Sequence, residues 1–286
     1  MSSRNATRVK NVPGMAQIMI DLKPNRCDSF VYSQVDVDMT ELMKYIEKKK
    51  KEGSEITVFH TFVTALGKVI YNRKKMNWFV SNRHIFEHND VVISFVAKVS
   101  FEDKAEEMMI MVPIKENDNI NTISKYIGDK VYNLRNKKVS KEGANDAIDV
   151  LGKLPNIIRI PVVGLLKWCD KKGILPASLV KDNLYYSSTI VSNIGSLKTN
   201  SIHHNITNFG TCSSLITMGE IKDKEVITKD GKKEIRKICD WGVALDERVA
   251  DGFYFIKSME YLQYIFNHPE MLEDDASTKI ELPKNK

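Results

Sequence analysis

Paired cysteines, apolar runs of membrane-spanning length and stripes of basic and aromatic residues are all missing from this chain of 286 residues. The four cysteines, Cys27, Cys169, Cys212 and Cys239, stand far apart with no Cys-x-x-Cys pair. That spacing excludes a thiolate zinc site and a disulfide framework, and it fits a reducing compartment, so the expected location is cytoplasmic. The N-terminus MSSRNATRVK has no apolar segment of the kind a secretion signal needs. No apolar run is long enough to span a bilayer, and no membrane partner is expected. The net charge of +6 comes from scattered lysines and short runs such as KKKK at 48–51. Lysines without aromatics among them form solvated faces and loop tips, so no nucleic-acid partner is expected either.

What is present is an ordinary globular composition, 42% hydrophobic and 28% charged, in a chain long enough to bury a sizeable core. No repeat or low-complexity linker divides it. Residues 1–272 are therefore read as a single domain and 273–286 as a flexible polar tail. SFVYSQVDVD (29–38) alternates as a half-buried strand does. Asp38-x-x-Glu41 then opens a helix in the manner of a capping box, with Met39, Leu42, Met43 and Ile46 on one face and Gly53 as its stop. A second helix carries Phe59, Phe62, Val63, Leu66 and Ile70. Strands are predicted at 90–101 and 107–114, the first apolar enough for burial on both faces, and a helix at 122–136. Further strands are predicted at 185–193, 212–219, 225–228 and 234–245, the last two joined by a turn at Asp230-Gly231. A closing helix begins near Asp251, with Phe255, Met259, Leu262 and Phe266 on one face. Together these elements predict an α+β fold with a mixed sheet and flanking helices. LGKLPNIIRIPVVGLLKWCD (151–170) is apolar yet broken by Pro155 and Pro161. It is read as a buried connector or subunit contact, or else as a flexible wall of a hydrophobic acyl or acceptor pocket. Little charge patterning supports a membrane role for it.

Four stretches follow one another in a definite order: QVDVDMTELMKYI (34–46), NWFVSNRHIFEHNDVVISFVAKV (77–99), TIVSNIGS (189–196) and LDERVADG (245–252). In that order they resemble the chloramphenicol acetyltransferase superfamily, which includes the catalytic acyltransferase domain of 2-oxo acid dehydrogenase complexes. The resemblance runs from about residue 21 to residue 273. With no lipoyl or subunit-binding domain ahead of it, the chain is expected to be a stand-alone member. LDERVADG resembles the family's Asp-His-Arg-Val-x-Asp-Gly, and TIVSNIGS its Ser-Asn-Leu-Gly stretch.

The resemblance implies a chemistry and a set of roles. In the family the histidine of the signature takes a proton from an attacking hydroxyl or thiol, and a serine donates to the oxyanion of the tetrahedral intermediate. Ser192 matches that serine, although Ser-Asn-x-Gly also suits a simple strand end and turn. Glu247 occupies the base position. A solvated carboxylate, with a pKa near ~4.3, is a poor base for an alcohol or thiol, and burial is what raises it. His203 and His204, in SIHHNITNFG, are candidates for a relocated base oriented by Glu247, or else are ordinary loop or interface histidines. Asp251 is the orienting aspartate, with a helix N-cap as its plainer role. Arg26 is its expected partner, Gly252 allows a close approach, and Arg248 stands beside the base. His84 and His88, spaced i, i+4, are not expected to hold a metal, and His60 and His268 are assigned no role.

Coenzyme A, as acyl-CoA, is the implied cosubstrate, with a small hydroxyl, amine or thiol acceptor and no metal. A homotrimer with its site between subunits is the implied assembly. The expected function is acyl transfer with an altered base. The alternative is a catalytically inactive chain of the same fold, acting as a binding or assembly module. A core subunit of a dehydrogenase complex, or an enzyme of chloramphenicol resistance, is expected less.

Overall fold

The computed structural model describes residues 5–98, 107–136, 150–228 and 230–283. The alternation at 29–38 produces β2 (Phe30–Asp38), which lies along one edge of a six-stranded sheet. Its neighbours, in spatial order, are β9 (Lys233–Asp246), β8 (Ser214–Ile227), β7 (Thr189–Asn193), β5 (Val91–Lys98) and β6 (Glu107–Ile114). The β5–β7 and β7–β8 pairs are parallel and the others antiparallel, so the sheet is mixed. A second sheet, antiparallel and in the order β1–β4–β3, comes from β1 (Ala6–Arg8), β3 (Trp78–Ser81) and β4 (His84–His88).

One face of the large sheet is covered by helices. These are α2 (Thr40–Lys51), α3 (Val58–Asn72), α4 (Ile120–Asn136) and, near the end of the chain, α7 (Gly252–Asn267). The apolar periodicity explains the arrangement: Met39, Leu42 and Ile46 of the first helix and Phe62, Val63 and Leu66 of the second are buried in one core. Trp241 of β9 lies at its centre, edge-on to Phe62 at 4.7 Å and to Phe266 at 5.7 Å between ring centroids. Burying rings of this size supplies a large share of the core's hydrophobic stabilisation. The opposite face carries a smaller cluster (Leu184, Ile190, Ile206, Cys212, Leu215, Ala244) under the segment that leads from β7 to β8.

Several expected details are corrected by the coordinates. The capping box at Asp38 does not form: Asp38 Oδ1 accepts from the Thr40 amide at 2.9 Å, but Glu41 turns to Lys44. The reciprocal box stands instead at the start of α3, between Thr57 and His60. The strand expected at 185–193 begins only at Thr189, because Leu184–Tyr186 is a 3-10 turn capped by the Asn183 side chain. The strands expected at 212–219 and 225–228 are one strand, β8, with an irregularity between Met218 and Ile221. Residues 99–101 of the first predicted central strand lie outside the described residues. Residues 151–170 are not a connector buried within the chain; most of them form α5 (Asn156–Lys172), in which Pro161 is accommodated and Ile157, Ile160, Leu165 and Trp168 are exposed. A short turn of helix, α6 (Ala177–Val180), follows. Sequence patterning gave no sign of α1 (Gly14–Leu22).

The tail expected to be loose from Glu273 is ordered along the core as far as residue 283. Ala276 and Ile280 are buried, and the Ala276 amide donates to the Asp118 carbonyl at 2.7 Å. The buried ammonium of Lys68 donates to the carbonyls of Asp274 (3.1 Å) and Asp275 (2.6 Å). Polar composition suggested looseness, but two apolar side chains and a lysine's need for acceptors tie this stretch down.

Candidate active site

The site has to be built from the ends of β7 and β9, because LDERVADG closes β9 and TIVSNIGS is β7 with the turn that follows. β9 delivers Asp246 to the less helical face of the sheet, where it is fully buried. Arg248 folds back onto it in a two-pronged pair, Nε to Oδ1 at 2.9 Å and Nη2 to Oδ2 at 2.7 Å. The remaining Arg248 nitrogen donates to the carbonyls of Lys23 and Pro24, each at 3.2 Å. Arg26 lies on the other side, its Nε 3.9 Å from Asp246. Its Nη groups donate to the carbonyls of Thr207, Phe209 and Gly210 at 2.8–3.2 Å. Burial pulls the Arg26 guanidinium below its ordinary pKa, and Asp246 opposes that fall. Two buried guanidinium groups thus share one carboxylate and pin the 207–210 segment and the residues before β2 to the end of β9.

This cluster corrects one expected pairing. Arg26 meets Asp246 and not Asp251. Asp251 is exposed and caps α7, its Oδ1 accepting from the Tyr254 amide at 2.8 Å. Gly252 needs no special room inside the chain, since a Cβ there would meet nothing within 4 Å. The glycine under constraint is Gly195 in VSNIGS: a Cβ there would come within 2.4 Å of the Gly219 carbonyl oxygen. That contact lets the turn after β7 lie flat against β8.

Glu247 lies just past β9 and points away from Arg248. Its amide donates to the Ser29 carbonyl at 3.0 Å, and its carboxylate is ion-paired with Lys23. Both partners are about one-third exposed, at 36% and 30%. Lys23 belongs to the site by this contact, and nothing in DLKPNRCDSF marked it in advance. To act as a base, Glu247 must give up this partner or share it.

Ser192 is half-buried on β7, and among the described residues its hydroxyl has no hydrogen-bond partner. It pairs in register with Thr217 of β8, which pairs with Gly242 of β9. Gly242 precedes Glu247 by five residues, so Ser192 and Glu247 of one chain lie roughly 16 Å apart along the strands and about 10 Å across them. They cannot act on one atom within one chain. The segment carrying the paired histidines crosses the sheet at the level of Ser192: a Cβ on Gly242 would touch the Ile202 carbonyl oxygen at 2.4 Å. His203 is exposed, donates from Nε2 to the Ser33 carbonyl at 3.1 Å, and sits edge-on to Tyr32 at 5.7 Å. His204 is half-buried. Ser33 pairs with Val243, four residues before Glu247 or roughly 13 Å along the strand. Neither histidine meets Glu247 in the single chain.

The other histidines are placed by their elements. His84 and His88 share a face of β4, where an i, i+4 spacing amounts to roughly 13 Å, far too wide for one ion. His84 contacts Arg8, and His88 packs on the Phe79 ring at 4.5 Å. His268 stands at the C-terminal end of α7, 3.0 Å from the Tyr264 carbonyl. An apolar cleft of about 550 Å³ opens on the side of the sheet away from the main helices. Val163, Leu166 and Lys167 of α5 wall it, facing Tyr185, Ile206 and Phe209.

No protein-family model and no curated protein matches the sequence. Solved structures do match along nearly the whole chain. A probable dihydrolipoamide acetyltransferase from Listeria monocytogenes 4b F2365 is 17% identical, with 92% of this chain and 95% of that one aligned at a TM-score of 0.59. The dihydrolipoamide acetyltransferase of Azotobacter vinelandii is 12% identical over 92% and 93% of the two chains, at 0.60. A chloramphenicol acetyltransferase is 10% identical over 91% and 99%, at 0.56. The chain has the fold shared by the catalytic acyltransferase cores of 2-oxo acid dehydrogenase complexes and by chloramphenicol acetyltransferase.

Proposed function

We propose that this protein is a CoA-dependent acyltransferase with an altered base, moving an acyl group from acyl-CoA to a small hydroxyl, amine or thiol acceptor. The enzymes whose fold it shares transfer acetyl groups, which supports the reaction class. The observation that carries the reading further is the separation of Ser192 from Glu247. Two groups about 19 Å apart in one chain come to one reaction centre only when different copies supply them. Leu22, Phe253 and Ile256, beside Lys23 and Asp251, are 71%, 72% and 65% exposed and offer such a copy an apolar seat. A homotrimer places Glu247 and Lys23 of one subunit against Ser192 and the His203–His204 segment of the next.

In that arrangement the acceptor's X–H attacks the thioester carbonyl. The Ser192 hydroxyl donates to the oxyanion as charge develops, an imidazole of the neighbouring segment takes the proton with Glu247 orienting it, and the CoA thiolate leaves. A second reading is favoured by the ion pair. Glu247 already has Lys23, so the same shell serves without turnover as a binding or assembly module.

Calorimetric titration with CoA and acetyl-CoA separates the site from its loss. Saturable micromolar binding, with trimeric mass in light scattering, is the expected result. A monomer at micromolar concentration, or no binding at millimolar CoA, overturns the proposal. With an acceptor found, Glu247→Gln and the two histidine substitutions lower turnover roughly 10²–10⁴-fold where the residue takes part in proton transfer. If all three leave turnover unchanged, the base assignment is wrong.

A further inference from the structure

A helix packed on a domain hides one apolar stripe and shows water a polar one. α5 does not. Its inner side supplies Leu166 and Val162 to the protein, while its outer side presents Ile157 (84% exposed), Ile160 (67%), Leu165 (59%) and Trp168 (52%) to solvent. The flanks continue the surface with Val150 (62%) and Ile174 (58%), and the apolar cleft of about 550 Å³ opens alongside through Val163 and Leu166.

The exposed charges of residues 150–175 have one sign. Lys153, Lys167, Lys171 and Lys172 are exposed, and Arg159 is half-buried. Asp170 is the one acidic residue between 150 and 175. It is buried and turned inward, accepting from the Tyr186 hydroxyl at 2.6 Å and from the Gly210 amide at 3.0 Å. The sequence shows acid and base side by side in WCDKK; the structure removes the acid from the surface. An apolar helix face bearing a tryptophan, rimmed by lysines and with no exposed carboxylate among residues 150–175, has the chemistry of a segment that lies in the headgroup layer of an anionic bilayer.

We infer that α5 docks this protein on anionic membrane surfaces, with Ile157, Ile160, Leu165 and Trp168 entering the headgroup layer and Lys167, Lys171 and Lys172 facing the lipid phosphates. This departs from the absence of a membrane partner expected from the sequence, and it stands whether or not the chain transfers acyl groups. Uncharged surfaces do not replace the bilayer as occupant, because they leave the lysine rim without a counter-charge.

The test is sedimentation of the full chain with vesicles of phosphatidylcholine alone and of phosphatidylcholine with phosphatidylglycerol, read together with tryptophan emission. The expected result is binding to the anionic vesicles only, weakened by salt, with a blue shift that Trp168→Phe abolishes. Neutralising Lys167, Lys171 and Lys172 to Gln lowers the partition on the order of a hundredfold. Ile160→Ser with Leu165→Ser, both solvent-facing, weakens binding while leaving the fold intact by circular dichroism. Failure of the unmodified protein to sediment with anionic vesicles overturns the inference. So does a fall in particle mass in the Ile160/Leu165 variant without vesicles, which assigns the face to a second copy.

Discussion

Glu247 and Arg248 are adjacent in sequence and belong to different surroundings. Successive residues leaving a strand turn to opposite sides, so Arg248 closes on buried Asp246 while Glu247 emerges beside Lys23. That division separates their surroundings: the arginine is buried against Asp246, and the glutamate is partly exposed and paired with Lys23. LDERVADG displays the order of these residues but not their directions. Lys23 stands 224 positions earlier, with no motif of its own. Asp251 was legible, because an aspartate immediately before an apolar helical pattern caps it for local reasons. The two guanidinium groups around Asp246 also give a prediction. Asp246→Asn leaves buried Arg26 and Arg248 without their anion, and urea denaturation is expected to show a loss of about 3–5 kcal/mol. A loss below about 1 kcal/mol would mean that the cluster is wet and its charges are carried by solvent.

At the scale of elements, strands with alternating or continuous apolar runs and helices with a single apolar stripe were readable, since both faces of the argument lie in one short window. α5 was not. Its two prolines suggested interruption, but Pro155 stands at the helix N-cap and Pro161 is accommodated within the helix. The join of two predicted strands into β8 depended on an irregularity that lets the strand continue past Gly219. β3 and β4 form a local hairpin, and only the third strand of their sheet, β1, pairs with β4 across seventy or more residues of chain. That small sheet contributes one part of the pH response. Burial pulls the His88 imidazole down to about 4, whereas in the unfolded chain it titrates near ~6.5. Between those values the unfolded state binds more protons than the folded one. Stability contributed by His88 is therefore fully present above about pH 6.5 and is lost as pH falls toward 4. The expected loss is on the order of 1–3 kcal/mol, and His88→Gln flattens that part of the stability–pH curve. An unchanged slope in the variant would assign the effect to other groups.

The whole molecule is closed by its last described residues. Lys68 is 206 positions from Asp274, the residue whose carbonyl it meets, and composition alone does not reveal a contact of that span. Polar residues made the segment look free, while the features that order it are a buried lysine on α3 and two apolar side chains, Ala276 and Ile280. Removing residues 274–286 leaves that ammonium buried without acceptors and uncovers the Ile280 site. The expected outcome is a loss of about 3–5 kcal/mol in urea denaturation. Lys68→Met in the shortened chain recovers part of it, because the variant no longer buries a charge. Equal stability of the full and shortened chains would show that the segment only rests on the surface.

The same clasp has a consequence for synthesis. A ribosome that has made α3 must add some two hundred further residues before the acceptors of Lys68 exist. Until then the helix at the heart of the core carries an ammonium that water, and not protein, must solvate. The growing chain can form its hairpins and helices one by one, but it cannot seal its interior. Native closure waits for residues 274 and 275 to emerge, so the interior around α3 becomes dry only late along this sequence.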